Sequence, residues 1–382
     1  MKLQNDVSSL SFFIMLCYYI IHERSLIITA INNLRKILKN DSEAVIVSSP
    51  ENRRYFTGFP SSDGYLVITK NDAVFFTDSR YIEAAQKSIK NCRCLLLKSV
   101  SEEIKDYLTE SGIKTLYGEK ARLTVADAEM LKDIFSPIEF CPAEILESAI
   151  DGARIIKTCG EVEKIKKAQA IAEKAFEHIL NFIKVGVTEK QVALELDFYM
   201  LSHGAEALSF ETIAVTGAKT SMPHGVPDET VIQNGDFVTM DFGAVYDGYH
   251  SDMTRTVAVG FASDEQKEIY NTVLRAQKAT LGVLKAGVDC KDADKVARDI
   301  ISDAGYGDCF GHGTGHGVGI EIHEKPNLSP KSTAILEEEN IVTVEPGIYI
   351  PDKFGVRIED MTLITENGCE NLTSSPKELI IL

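Results

Sequence analysis

The chain's 382 residues exceed what one ordinary hydrophobic core organises, so two domains are expected. Its 57 acidic residues against 40 basic ones give a formal net charge of -17, which excludes nucleic acid and anionic membrane surfaces as natural partners. Eight cysteines are scattered along it, with only Cys92 and Cys94 close together, which reads as reduced thiols in a cytoplasmic protein rather than a disulfide framework.

The first feature in chain order is Leu10–Ile21, "LSFFIMLCYYII", strongly apolar but shorter than the roughly 20 residues of a spanning helix. Without a basic lead or a small-residue cleavage site it reads as an extra packed segment or an over-extended start, and residues 1–26 are left unassigned. Residues 27–150 alternate strand-like runs (44–49, 64–69, 73–78 and 92–99) with helical ones (Tyr81–Lys90 and Ser101–Ser111), which predicts a small α/β domain. The segment "IDGARIIK" (150–157) reads as a joint to a second domain, 151–382.

In that second domain Thr158 and Glu161 form a capping-box signature, and apolar residues from Val162 to Ile183 recur at helical spacing up to Gly186. Thr188 and Gln191 open another helix ending near Gly204, and strands follow to Val259. The order then recurs: Ser263 and Gln266 cap a helix to about Ala286, a second covers Lys291–Ala304, and strands fill the remainder. Helix, helix, strands, twice over, predicts two pseudo-symmetric α+β halves closing on one site.

Each half carries a pair of carboxylates. In "FVTMDFGAVYDGYHSDMTRT" the turn Asp247-Gly248 would pair Tyr246 with Tyr249 and set Gly243 opposite Asp252, so that Asp241 and Asp252 share a face as diagonal neighbours. In "VEPGIYIPDKFGVRIED" a loop "PDKFG" would set Glu359 opposite Gly347, again on the face of Glu345, unless Pro346-Gly347 bulges the strand. Like charges placed so closely repel unless a cation lies between them. Between the two pairs lies "FGHGTGHGVGIEIHEKP", whose glycines exclude a stable helix and let a loop approach a ligand while presenting His312 and His316. Four carboxylates and an imidazole suit two borderline divalent ions such as manganese or cobalt better than a structural zinc. A phosphate loop would want Lys-Ser/Thr and a helix after the glycines, whereas "GIEIHEKP" reads as strand, with Ile320 and Ile322 on one face and Glu321 and His323 on the other. His22, His178 and His203 read as ordinary helix or surface residues, and His250 as beside the site.

"MPHGVP", "MDFGAVYDGYHSDMTRT", "GHGTGHGVGIEIHEKP", "VTVEPGIYIP" and "GVRIED" together resemble the pita-bread metallopeptidases, in their aminopeptidase P and prolidase (Xaa-Pro peptidase) branch. Upstream, "NRRYFTGFPSSDGYLVITKNDAVFFTDSRY" resembles the creatinase-type N-terminal domain of those enzymes. The resemblance implies an α+β protein with a creatinase-like domain followed by a pita-bread catalytic domain. It implies two divalent ions, manganese foremost with cobalt or zinc as substitutes, held by Asp241, Asp252, His316, Glu345 and Glu359, with Asp252 and Glu359 bridging. Glu345 would serve as general base to a metal-activated water, with His224, His312 and His323 facing substrate and Arg357 supporting the centre. Proline-containing peptides are then the expected substrates, cut after the residue preceding proline, and a homodimer or larger homo-oligomer the expected assembly. A methionine aminopeptidase remains an alternative, although it would normally lack the upstream domain and His312. A non-catalytic binding member of the fold would typically have lost the ligand set.

Overall fold

The computed structural model describes residues 30–382, so the apolar Leu10–Ile21 run and the 1–26 extension lie outside the described residues. The chain divides into two compact units between Arg154 and Ile155, a few residues beyond the boundary expected at 150/151. The joint expected at 150–157 is instead mostly the end of a helix, Glu144–Ile155. That helix buries Ile150 and Arg154, and the Arg154 guanidinium donates to Asn52 Oδ1 at 2.8 Å, which ties the segment into the N-terminal unit.

The N-terminal unit is built on a six-stranded mixed sheet in the order Arg93–Leu96, Ala73–Thr77, Tyr65–Thr69, Glu43–Val47, Thr115–Glu119, Glu139–Ala143. Val45, Val47, Leu66, Ile68 and Phe75 pack into one core, while Ala44, Ile46, Val67, Val74 and Phe76 pack into another. Both faces of the central strands are therefore buried, which explains why they read as unbroken apolar runs rather than alternating ones. The two strands after Ser111, with half-exposed or polar positions, carry too weak a pattern to be read ahead of the structure.

The C-terminal unit repeats its element order. Helices Cys159–Ile179 and Glu189–Ser202 precede the first set of strands, and helices Asp264–Leu281 and Cys290–Asp303 precede the second. The capping boxes at Thr158/Glu161, Thr188/Gln191 and Ser263/Gln266 all form, with hydrogen bonds in both directions. The first and third helices stop earlier than Gly186 and Ala286, because each apolar stripe continues into a turn that packs Ile183 or Leu284 on the core without helical backbone.

Each half then contributes a long hairpin interrupted midway. In the first, Phe237–Phe242 pairs with Met253–Ala258, and beyond a break Ala244–Tyr246 pairs with Tyr249–His250. In the second, Ile341–Val344 pairs with Asp360–Ile364, and beyond its break Gly347–Ile350 pairs with Phe354–Arg357. The expected pairing of Tyr246 with Tyr249 is present, and Asp247 and Gly248 both take positive φ (47° and 82°) as a two-residue turn requires. The second hairpin departs from expectation by two residues. Ile350 pairs with Phe354, so the loop is Pro351–Lys353 with Asp352 left-handed (φ 59°), and Gly347 faces Arg357 rather than Glu359. Phe354 is held in the ladder by burial and an edge contact with Phe237, ring centroids 5.5 Å apart, which makes the five-residue loop too long.

Among the described residues no helix is long and apolar enough to cross a membrane.

Candidate metal centre

The two hairpin breaks create the centre. At a break the strand residues leave their own ladder for a neighbour: Glu359 N–H donates to the Thr254 carbonyl at 3.1 Å, and Glu345 N–H to the Thr314 carbonyl at 2.8 Å. Registers on either side of the first break place Gly243 across from Asp252, with Asp241 across from Thr254. Those flanking the second place Glu345 directly across from Glu359, so the shifted register keeps both glutamates on one face because two residues preserve side-chain parity.

The glycine-rich loop brings in the imidazole. Asp294 and Arg298, one turn apart on Cys290–Asp303, pair at 2.9 Å. Arg298 donates to the carbonyls of Phe310 (3.0 Å) and His312 (2.8 Å), and Asp294 accepts from Thr314 N–H (3.0 Å) and hydroxyl (2.9 Å). Gly315 then passes so close to the neighbouring strand that a Cβ would overlap the Thr343 carbonyl. The close approach is thus to backbone rather than to a ligand, and it seats His316 beside Glu345. The "GIEIHE" stretch is a tight bend, not a strand: Gly319 N–H donates to the Glu321 carbonyl and Glu321 N–H to the Glu324 carboxylate. Alternation fails accordingly, and Ile322 lines the same cavity as His323 while Ile320 is buried.

Asp241, Asp252, His316, Glu345 and Glu359, together with His224, His312, His323 and Arg357, all line one cavity of about 760 Å³. Ligand atoms of Asp252, His316 and Glu359 lie within 4.8 Å of one another. His316 Nε2 stands 3.5 Å from both Asp252 Oδ2 and Glu345 Oε1. Its Nδ1–H donates to the Gly317 carbonyl at 3.0 Å, leaving Nε2 as a lone pair aimed among the carboxylates. Burial holds the His316 imidazole down at about 4, which keeps that lone pair unprotonated.

The carboxylates are placed at electrostatic cost. Burial, then Glu359, Asp241 and Glu345, pushes Asp252 well above the usual carboxylate range, and burial with Glu345 and Asp241 does the same to Glu359. Glu345 rises to about 8, mainly through burial. Asp241 Oδ1 is a buried oxygen without a hydrogen-bond donor, although Oδ2 takes a 2.6 Å bond from Arg357. An orphaned carboxylate oxygen, mutually repelling carboxylates and an imidazole lone pair converging on one space fit divalent cations, the charge that relieves all three.

Two groups here went unread in the sequence. Tyr349 accepts from Arg357 NH1 at 3.0 Å and meets His312 Nε2 at 2.8 Å, while His312 Nδ1–H donates to the Gly313 carbonyl at 2.8 Å. The directions are forced: with Nδ1 protonated, Nε2 accepts from the phenol. Burial raises the phenol to about 12 and lowers His312 to about 4, so both stay neutral. Gly347 admits the ring, since a Cβ there would stand 2.5 Å from the Tyr349 oxygen. Arg357, donating also to Thr254 Oγ1 (3.0 Å) and Pro223 O (3.3 Å), has its donors engaged by protein and acts through Asp241 and Tyr349. The second group is a pair of threonines: Thr254 hydroxyl donates to Glu359 at 2.7 Å and Thr343 hydroxyl to Glu345 at 3.2 Å. A strand threonine carries no signal of such a role until its neighbours are known.

The other histidines among the described residues lie elsewhere, and His22 lies outside the described residues. His178 pairs with Glu195 at 2.6 Å, and both it and His203 stack on Tyr199. His250 sits on the outer pairing of the first hairpin, its N–H bonded to the Gly319 carbonyl.

Comparison with known proteins gives the architecture its relatives. Residues 163–366 match the model for metallopeptidase family M24, and residues 31–156 that for the creatinase/prolidase N-terminal domain. An Xaa-Pro dipeptidase from Pyrococcus furiosus is 39% identical over 352 residues, 91% of this chain and 99% of that one. Among solved structures, an Xaa-Pro dipeptidase from Bacillus anthracis superposes with a TM-score of 0.89 at 44% identity, over 93% of this chain and 100% of the other. An X-Pro aminopeptidase from Thermotoga maritima does so with a TM-score of 0.84 at 36% identity, over 89% and 97%.

Proposed function

Since the chain belongs to metallopeptidase family M24, we propose that it is an exopeptidase hydrolysing the bond between an N-terminal residue and a following proline. The observation that carries the reading is the convergence of Asp241, Asp252, His316, Glu345 and Glu359 on one cavity, in a chain whose relatives include Xaa-Pro dipeptidases at 39–44% identity. Those five residues would hold two divalent ions. With four carboxylates and one imidazole the set favours manganese, with cobalt or zinc as substitutes. Bound there, the ions supply Lewis acidity and a water acidic enough to ionise near neutral pH.

The protein's own residues do the rest. Glu345, which accepts from the Thr343 hydroxyl at 3.2 Å and stands 3.5 Å from His316 Nε2, would take a proton from the attacking water and deliver it to the proline nitrogen as that bond breaks. His323, its ring 4.4 Å from that of His316, and His224 would donate to the oxygen on which charge develops. His312 is committed through both ring nitrogens, and orients the wall of the cavity rather than moving protons. Arg357 fixes the carboxylate of Asp241.

A creatinase-like unit over residues 27–150, a homodimer or larger homo-oligomer and a cytoplasmic location complete the reading, the last supported by the seven free cysteines among the described residues. The test is direct: protein stripped by a chelator should lose Xaa-Pro cleavage and recover it with manganese or cobalt, binding up to two ions per chain. Full activity without metal, or cleavage of Met-Ala peptides in preference to Xaa-Pro ones, overturns it.

A further inference from the structure

The role of His323 as a donor to the developing oxyanion belongs to the proposed function, on which this inference rests. Such a donor acts only at hydrogen-bond distance, about 2.7–3.1 Å, so its backbone must be held to a fraction of an ångström. Strand pairing does not hold it. His316 faces Asn327, but the next pair is Gly317 with Glu324, so the ladder stops one residue short of His323. That residue sits in the bend between Gly319 and Glu324, its ring edge-on to the ring of His316 at 4.4 Å.

Glu324 fills the inside of this bend. Its Oε1 accepts from Glu321 N–H at 3.1 Å, and a Cβ on Gly319 would stand 2.5 Å from its Oε2. Oε2 accepts in turn from Lys157 Nζ at 2.9 Å, and both side chains are withdrawn from solvent, 1% exposed for the lysine and 5% for the glutamate. The bend is braced a second time where His250 N–H donates to the Gly319 carbonyl at 2.9 Å.

The two braces are joined behind the bend. Lys157 immediately precedes Thr158, whose N–H donates to Glu161 Oε2 at 2.8 Å, and Glu161 Oε1 accepts from the Tyr249 hydroxyl at 2.9 Å, next to His250. The entrance of helix Cys159–Ile179 and the outer part of the first hairpin thus grip a bend that belongs to the second half. A buried ion pair contributes little net stability, since desolvation offsets most of the attraction. What it does fix is geometry, and here the residue next to the buried carboxylate is His323.

We infer that Lys157 and Glu324 are positioning residues for the reaction: their ion pair holds the bend between Gly319 and Glu324 so that the His323 imidazole meets the oxygen on which charge develops.

The test is a double-mutant cycle against His323, run on the manganese-loaded enzyme with one Xaa-Pro peptide. Lys157→Met alone strips a buried carboxylate of a cation and is strongly destabilising, so the variant to assay is Lys157→Met/Glu324→Gln, neutral at both positions. With His323 in place it should lower kcat by roughly 10- to 100-fold, the scale of a misplacement of about 1 Å, while KM and manganese content change little. In a His323→Ala background the same pair should cost less than about threefold, because the group it positions is gone. Lys157→Arg, which keeps the charge and shifts it, should show the same dependence on His323 at smaller size, and it carries the test if the neutral pair does not fold. Equal fold losses in both backgrounds would make the ion pair structural only, and loss of manganese along with turnover would place its effect on His316. Either result, or unchanged turnover in the neutral pair, overturns the inference while Xaa-Pro cleavage by the unaltered enzyme stands. If the unaltered enzyme with manganese bound cleaves no Xaa-Pro peptide, the proposed function falls and this inference with it.

Discussion

The two interrupted hairpins have one architecture and two electrostatic settings. In the first, a single register runs through the break, Asp241 and Asp252 are diagonal, and Asp241 is clamped by Arg357 at 2.6 Å. In the second, Glu345 and Glu359 are directly opposed, and Glu345 meets the hydroxyl of Thr343 at 3.2 Å and the neutral ring of His316 at 3.5 Å rather than a guanidinium. A clamped carboxylate is held in one orientation for a cation. One that is buried beside like charges and loosely held takes a proton readily. The difference teaches how a duplicated scaffold can divide its labour, the first hairpin suited to binding and the second also to proton transfer.

The sharpest way to break this division is at a ligand proposed to be shared. Asp252→Asn removes charge where both hairpins need it, so metal content and turnover should collapse together, beyond the roughly 10- to 100-fold that loss of an outer-shell partner costs. Metal analysis showing unchanged stoichiometry in that variant would mean Asp252 is not a ligand. Next in size is His323→Ala, which should lower kcat by roughly 10²- to 10³-fold, the scale of one oxyanion donor, with metal content and KM little changed. Turnover close to wild type on an Xaa-Pro peptide would remove His323 from the chemistry.

Tyr349→Phe probes the clamp itself. It leaves Arg357 NH1 and His312 Nε2 each short of a buried partner, which should cost about 1–3 kcal/mol of stability, together with a loss of activity smaller than that of His323→Ala. Unaltered stability by denaturant titration would show that water replaces the phenol.

Legibility of the sequence tracked the same contrast. Asp247-Gly248 dictates its own turn, and from that turn the register of a whole hairpin followed by counting, through to the diagonal pair of aspartates. "PDKFG" contains no such dictate. Its length is decided by the burial of Phe354 against Phe237, a contact between residues more than a hundred apart that local chemistry does not announce. The carboxylates and His316 were legible because their spacing about a turn and within a glycine-rich run is a telling pattern. Tyr349, Thr254 and Thr343 were not, being common strand residues whose importance lies in whom they touch. His323 was placed at the cavity for a wrong local reason, since its stretch bends where alternation demanded a strand.

The metal-free protein offers a titration of the same comparison. Glu345, Glu359 and Asp252 all have carboxyls raised above their ordinary values, so the folded state binds protons that the unfolded state releases. Their protonated forms are fully accommodated below about pH 4, the unfolded range. As pH climbs through that range towards the value of about 8 for Glu345, stability should fall. Added manganese should therefore raise Tm more at pH 8 than at pH 5, because the ions neutralise the charges whose repulsion grows with pH and because bound ligand stabilises by mass action. A metal-free Tm that rises steadily from pH 5 to 8 would contradict the burial of these groups.

The smallest effect separates the halves at their helix entrances rather than their hairpins. The second helix of the first half opens on Thr188, whose side chain accepts from Gln191 N–H while the Gln191 side chain accepts from Thr188 N–H. Its counterpart opens on Asp289, which makes no side-chain cap bond, although the backbones match: Thr188 bridges to Val231 and Asp289 to Ile335, both antiparallel. Both residue types are good N-caps by composition, yet only one is used as such. Thr188→Ala should accordingly cost about 1 kcal/mol, the usual worth of a hydroxyl cap, and Asp289→Ala distinctly less, retaining only the attraction of a carboxylate for the positive end of the helix. Equal losses in chemical denaturation would mean that the side chain of Asp289 caps its helix in solution and that the two halves are as alike in their caps as in their backbone bridges.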